Sequence, residues 1–247
     1  MAACRRTDDE ENAAPACKRK IYKNPMIICY IPMLTGQSDE VRRWTEGVRD
    51  RFGVIPVLLP PVRWNDDLTP WPADPIFRKG KPFGGKAEAY LHTLETDIIP
   101  SLESAPNPAG SGAVPAERWF VGVSLAGLFG IWAAARSPLF TRVAAVSGSF
   151  WYPGFTRWLA GQSLQTRSVY LSLGDREADS KNPQLRDIAA QTQAVARIIG
   201  EQGVPVDFEW TAGTHFGPIL PRLDKAVAAL SVHSGRADPQ RGPGGRP

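Results

Sequence analysis

Short, almost wholly apolar runs alternate along this chain with longer stretches in which apolar residues recur every three or four positions. The first kind suits a strand buried on both faces, and the second suits a helix with one face on a core. "MIICYIP" (26–32), "VIPVLLP" (54–60), "RWFVGV" (118–123), "RVAAVSG" (142–148), "SVYLSLG" (168–174) and "PVDFEWTAG" (205–213) read as strands. Between them, 38–53 places Val41, Trp44, Val48 and Phe52 on one helical face and ends at Gly53. Residues 85–103 place Ala89, Leu91, Leu94 and Ile98 in the same way. Further helices are expected over 125–136, 184–201 and 218–232, a long Pro/Trp-rich loop over 60–83, and another loop over 104–117. Such β-α alternation predicts an α/β fold: a mostly parallel central sheet, with helices on both faces making three layers. In sheets of that kind, reactive residues gather at the carboxyl ends of the strands.

Composition changes this picture mainly at the termini. Residues 1–24 are charged and aperiodic, and 234–247 are rich in Gly, Pro and Arg. Both are expected to be disordered extensions of one domain over 25–233. The formal net charge of +4 lies entirely in those two segments, +2 in each, which leaves the body neutral. A neutral body lacks the basic face that phosphate backbones require, so the charge does not indicate a nucleic-acid partner. The three cysteines, Cys4, Cys17 and Cys29, have neither metal-ligand spacing nor a disulfide framework. With no apolar leader-like stretch near residue 1 and no run long enough to span a membrane, the expectation is a soluble cytoplasmic protein.

The strand-end rule directs attention to Gly122-Val123-Ser124-Leu125-Ala126-Gly127, where strand 118–123 gives way to a helix. Small residues on both sides of a serine at such a junction suit a strained turn that lifts a nucleophilic hydroxyl clear of the sheet. They also suit an ordinary, closely packed strand-to-helix connection. A nucleophile needs a base, and there are three histidines. His92 lies within a helix and His233 borders the tail, whereas His215 follows a strand and opens the last helix. The order serine, acid, histidine then requires a carboxylate after strand 168–174, where Asp175, Glu177 and Asp179 stand, the first two more tightly placed. Oxyanion donors are expected from the backbone N–H of Leu125 and from the loop after the first strand, at Met33 or Leu34. Trp64, Trp71, Trp151, Tyr152 and Trp158 either line an aromatic pocket or pack loops, with Trp71 and Trp151 the candidates for substrate contact.

Several fragments together resemble the enterochelin-esterase and esterase-D group of serine hydrolases in the α/β-hydrolase fold. They are "GVSLAG", "RWNDDLTPW", "FGGKAEAYLHTLETDIIPSLE", "VAAVSGSFWY" and "GTHFGPILPRL", spread from about residue 26 to 231. The resemblance implies an α/β-hydrolase sheet of about six to eight strands, with Ser124 as nucleophile and His215 as base. It points to Glu177, three residues after Gly174, as the acid, with Asp175 as the alternative. It implies a carboxylic ester hydrolase acting on a small-molecule ester without metal or cofactor. An acyltransferase using an acceptor other than water, or a non-catalytic binding protein on the same fold, are the other readings. The sequence departs from the group after the first strand, where Pro32-Met33-Leu34 replaces its usual Asp-Gly. Oligomeric state is not legible.

Overall fold

The computed structural model describes residues 26–32, 38–104 and 114–234. The expectations for residues 1–24 and for most of 234–247 lie outside the described residues, as does Met33. Six strands form one sheet: β1 (Ile27–Ile31), β2 (Ile55–Leu58), β5 (Glu117–Val123), β6 (Arg142–Val146), β7 (Ser168–Gly174) and β8 (Val206–Thr211). Their order is β2-β1-β5-β6-β7-β8, and every pairing is parallel. The chain first moves outward from β1 to β2 and then crosses to β5 on the other side of β1. That reversal opens a crevice at the carboxyl ends of β1 and β5, the place where ligands bind in open α/β sheets.

The two-residue period of the strands sorts their side chains onto two cores. Ile28, Tyr30, Phe120, Val143, Ala145, Val169, Leu171 and Leu173 face one side. Against them pack α3 (Ala87–Thr93), α5 (Leu125–Arg136) and α8 (Ile188–Glu201). Cys29, Ile31, Trp119, Val121, Ala144, Val146 and Tyr170 face the other side, against α1 (Ser38–Phe52) and α9 (Ile219–Ser234). This is the three-layer arrangement expected from the alternation, with the six-stranded sheet that the family resemblance implied. Helix α5 is buried from Leu125 to Ala134, which is why its sequence is apolar all round rather than on one stripe.

Two stretches depart from the expected pattern. The 60–83 loop contains the short helix α2 (Trp64–Asp67) and the hairpin β3 (Pro72–Ala73) and β4 (Phe83–Gly84). No apolar period announces these elements, because polar contacts hold them. The Arg63 guanidinium and backbone N–H donate to the Asp67 carboxylate, and the Gly85 N–H donates to Thr69 Oγ1. The helix expected over 184–201 is divided into α7 (Pro183–Arg186) and α8, with the break at Asp187. Asn182 caps α7 by accepting from the Gln184 N–H at 3.0 Å. The helix after Gly85 runs on through a π-helical segment, Leu94–Ile98, into α4 (Ile99–Ser104), and α6 (Phe155–Leu159) follows β6.

Candidate active site

Ser124 lies between β5 and α5 with φ 59° and ψ −121°, a backbone conformation that a non-glycine residue rarely adopts. The neighbouring sequence makes it attainable. A Cβ on Gly122 would lie 2.3 Å from the Ala126 carbonyl oxygen, so only glycine lets the first turn of α5 fold back on β5. The Ser124 N–H donates to Val146 O at 3.0 Å, which ties the bend to the end of β6. Serine at a helix N-cap usually turns its hydroxyl onto a nearby amide. Ser124 makes no such capping bond, and its Oγ faces His215 instead, 3.1 Å from Nε2.

His215 follows β8, and its Nδ1 lies 2.8 Å from Glu177 Oε2. An ionised carboxylate can only accept, so Nδ1 carries the ring proton and Nε2 is left to accept from the Ser124 hydroxyl. Glu177 sits three residues beyond the end of β7 and turns back on it, taking the Gly174 N–H at 2.8 Å on Oε1. A Cβ on Gly174 would lie 2.9 Å from that oxygen, so glycine at the strand end permits the return. Burial works against the charge of Glu177, but bonds from His215, Ser147 and the Gly174 N–H outweigh it and hold the carboxyl below its ordinary value.

Asp175 does not touch the imidazole; its Oδ1 accepts the Gly213 N–H at 2.8 Å and so braces the loop leading to His215. Asp179 forms an exposed pair with Arg176. His92 is exposed on α3, and His233 lies within α9. Three polar groups absent from the sequence reading join the site. Ser149 Oγ lies 3.2 Å from Ser124 Oγ, and because the Ser124 proton points to His215, the Ser149 hydroxyl is the donor. The Ser147 hydroxyl donates to Glu177 Oε1 at 2.6 Å, and the Arg222 guanidinium reaches both. Strand-end placement could have drawn attention to Ser147 and Ser149. Arg222 was visible as a cation on the stripe that Leu223, Ala226, Val227 and Leu230 make apolar.

The three-residue chain opens into a cleft of about 770 Å³. Its walls include Trp64, Ile76, Phe77, Phe83, Trp151 and Phe216. They come from the 60–84 segment, the turn after β6 and the His215 loop. Trp151 lines the cleft. Trp71 does not line the cleft: its indole N–H donates to Pro153 O at 2.9 Å, and Tyr152 Oη donates to Trp71 O at 2.6 Å. That reciprocal pair stitches the 60–84 segment to the turn after β6, leaving Trp71 packed against Tyr152 and Trp158. The Leu125 N–H begins α5, where a helix has no partner of its own for its first amides. Among the described residues no cluster of His, Cys, Asp and Glu could hold a metal ion, and no helix is long and apolar enough to cross a membrane.

A partly buried hydroxyl–imidazole–carboxylate chain of this geometry can turn a weak alcohol into an attacking group. Solved structures resemble the fold at low identity. Siderophore hydrolase EstA from Aspergillus nidulans is 20% identical, with a TM-score of 0.62, over 85% of this chain and 84% of that one. An IroE-like serine hydrolase from Shewanella oneidensis is 16% identical, with a TM-score of 0.65, over 86% and 72%. In sequence, the uncharacterized protein YbbA of Bacillus subtilis (strain 168) is 30% identical over 157 residues, 62% of each chain, so the match spans less than two thirds of that relative. The family model described as "Putative esterase" matches residues 41–216, from α1 through the loop of His215. The chain therefore belongs to that esterase family.

Proposed function

We propose that this protein is a serine hydrolase of small-molecule carboxylic esters, with Ser124 as nucleophile, His215 as general base and Glu177 as the acid that orients it. The observation that carries the reading is the unbroken contact series from Ser124 Oγ through His215 to Glu177, at the head of an apolar cleft. Asp175 is left outside that series. In the first step His215 Nε2 takes the Ser124 proton as Oγ bonds to the ester carbonyl carbon. The Leu125 N–H, aided by the positive end of α5, holds the oxyanion. His215 then gives its proton to the departing alcohol oxygen as the C–O bond breaks. A water molecule gives a proton to His215 and attacks the acyl-enzyme. The Oγ–C bond breaks, the carboxylic acid leaves and Ser124 regains its proton. No step draws on a metal or a cofactor.

The aromatic and aliphatic walls favour an ester with a bulky apolar or aryl part, Trp151 being one of its contacts. The test is an activity screen over siderophore lactones, feruloyl esters, thioesters and short acyl esters, run beside Ser124→Ala protein. Hydrolysis lost in the variant, together with fluorophosphonate labelling at Ser124, is the expected result. Labelling that persists in Ser124→Ala protein overturns the assignment of the nucleophile. Product analysis with added alcohols distinguishes water from another acyl acceptor, and absence of turnover on every ester would favour a binding protein. Cytoplasmic residence is part of the same proposal and is checked by cell fractionation.

A further inference from the structure

Arg222 has no role in the steps above, yet it is buried at 4% exposure against Glu177 and the loop that carries His215. A guanidinium is costly to bury, and the helix face around it is otherwise apolar. Its donors are divided between two loops. Nη2 donates to Ala212 O at 3.0 Å and to Thr214 O at 2.8 Å, the carbonyls on either side of Gly213 in the loop that carries His215. Nη1 donates to Ser147 Oγ at 3.1 Å and approaches Glu177 Oε1 at 3.5 Å. Ser147 passes the contact on, donating to the same carboxylate oxygen. Oε1 is thereby saturated, and Oε2 is left for the imidazole.

We propose that Arg222 is a positioning residue of the esterase site: it fastens the Glu177 carboxylate and the His215 loop into one unit, which fixes the imidazole against Ser124. The proposal rests on the serine-hydrolase reading. A planar fork with fixed donors spans both loops, which a lysine ammonium does not do. The other charged groups around the pair are accounted for. Asp175 is turned onto Gly213 N–H, Arg176 and Asp179 pair at the surface, and Glu40 lines the far wall of the cleft.

Hydrolysis of a neutral aryl ester by the full chain, and its loss in Ser124→Ala protein, decides the underlying reading first. In Arg222→Met protein kcat is expected to fall about 10²-fold, because small misplacements of reacting groups have that effect, with KM changed by less than about twofold. Removing a cation beside the Glu177–His215 pair favours the protonated pair, so the acid limb of kcat/KM moves to higher pH. Arg222→Lys recovers part of kcat. If Arg222 acts through Glu177, the double variant Glu177→Gln/Arg222→Met, which buries no unpaired charge, has the activity of Glu177→Gln alone. The double variant decides the matter if Arg222→Met does not fold. A folded Arg222→Met enzyme with the wild-type pH profile and kcat overturns the proposal, and so does a further loss of more than about threefold in the double variant.

Discussion

Buried glutamate–arginine pairs stand at opposite ends of the same sheet. At the amino ends, Glu117 of β5 accepts from Arg142 Nε at 2.7 Å and from Trp119 Nε1 at 2.7 Å. Its other oxygen meets Arg142 Nη2 at 3.3 Å, and Arg142 also donates to Ser168 Oγ. The donors here stand on β5 itself and at the start of β6, and both carboxylate oxygens are occupied within the sheet itself. At the carboxyl ends, the donors to Glu177 come from four separate segments, and all but the His215 ring converge on Oε1. The chemistry of the two pairs is the same; what differs is one oxygen. A closed pair fixes strands, whereas a pair that leaves one oxygen for a partly exposed ring can move a proton.

The sharpest way to separate the two ends is to remove the hydroxyl that only one of them serves. Ser124→Ala is expected to lower ester hydrolysis by about 10⁴-fold or more and leave the fold intact by circular dichroism. Retention of activity within about tenfold would strip the carboxyl end of its catalytic role. Next in size, Glu177→Gln leaves the site's shape but removes the acceptor that sets the histidine tautomer, so kcat falls by about 10³- to 10⁴-fold. An equal effect from Glu117→Gln on kcat would erase the distinction between the ends.

The converse experiment acts on stability. Arg142→Met leaves Glu117 with only Trp119 and the longer contact to Arg167, and is expected to cost about 1–3 kcal/mol in urea unfolding, with kcat changed by less than about threefold. A smaller effect is expected from acid. Glu117, Glu103 and Glu177 are all held below the ordinary glutamate value of 4.5, in each case against the opposing effect of burial. Arg142 and Trp119 lower Glu117, Arg118 and Tyr30 lower Glu103, and His215 and Ser147 lower Glu177. The stabilisation these groups contribute is therefore complete above about pH 4.5 and is lost as pH falls through their lower folded values. Arg142→Met should flatten that acid limb, since Glu117 would lose the largest of the contacts that hold it down; an unchanged slope would place the linkage elsewhere. Least of all, Trp151→Ala should raise KM for a bulky aryl ester by up to about tenfold, the scale of one aromatic contact, and leave KM for a short acyl ester unchanged.

Much of this was legible along the chain. The apolar runs of β1, β5, β6 and β7 announced a parallel sheet because strands covered on both faces contain few polar residues. Gly122, Ser124 and Ala126 announced the bend because local sterics at a strand-to-helix turn depend on adjacent residues. His215 followed from order and elimination among three histidines. Tertiary structure decided the rest. Local sequence alone places Asp175 and Glu177 alike, and the family resemblance favoured Glu177, but only the loop's path carries one carboxylate to the imidazole and the other to Gly213. Trp71 and Trp151 look alike in a loop, yet one indole stitches two segments together and the other faces the cleft. Ser147 and Arg222, 75 residues apart, meet because α9 packs beneath the ends of β6 and β7. Periodicity and short-range sterics are properties of neighbours in sequence, whereas the direction of a side chain on a loop is set by distant segments that arrive with folding.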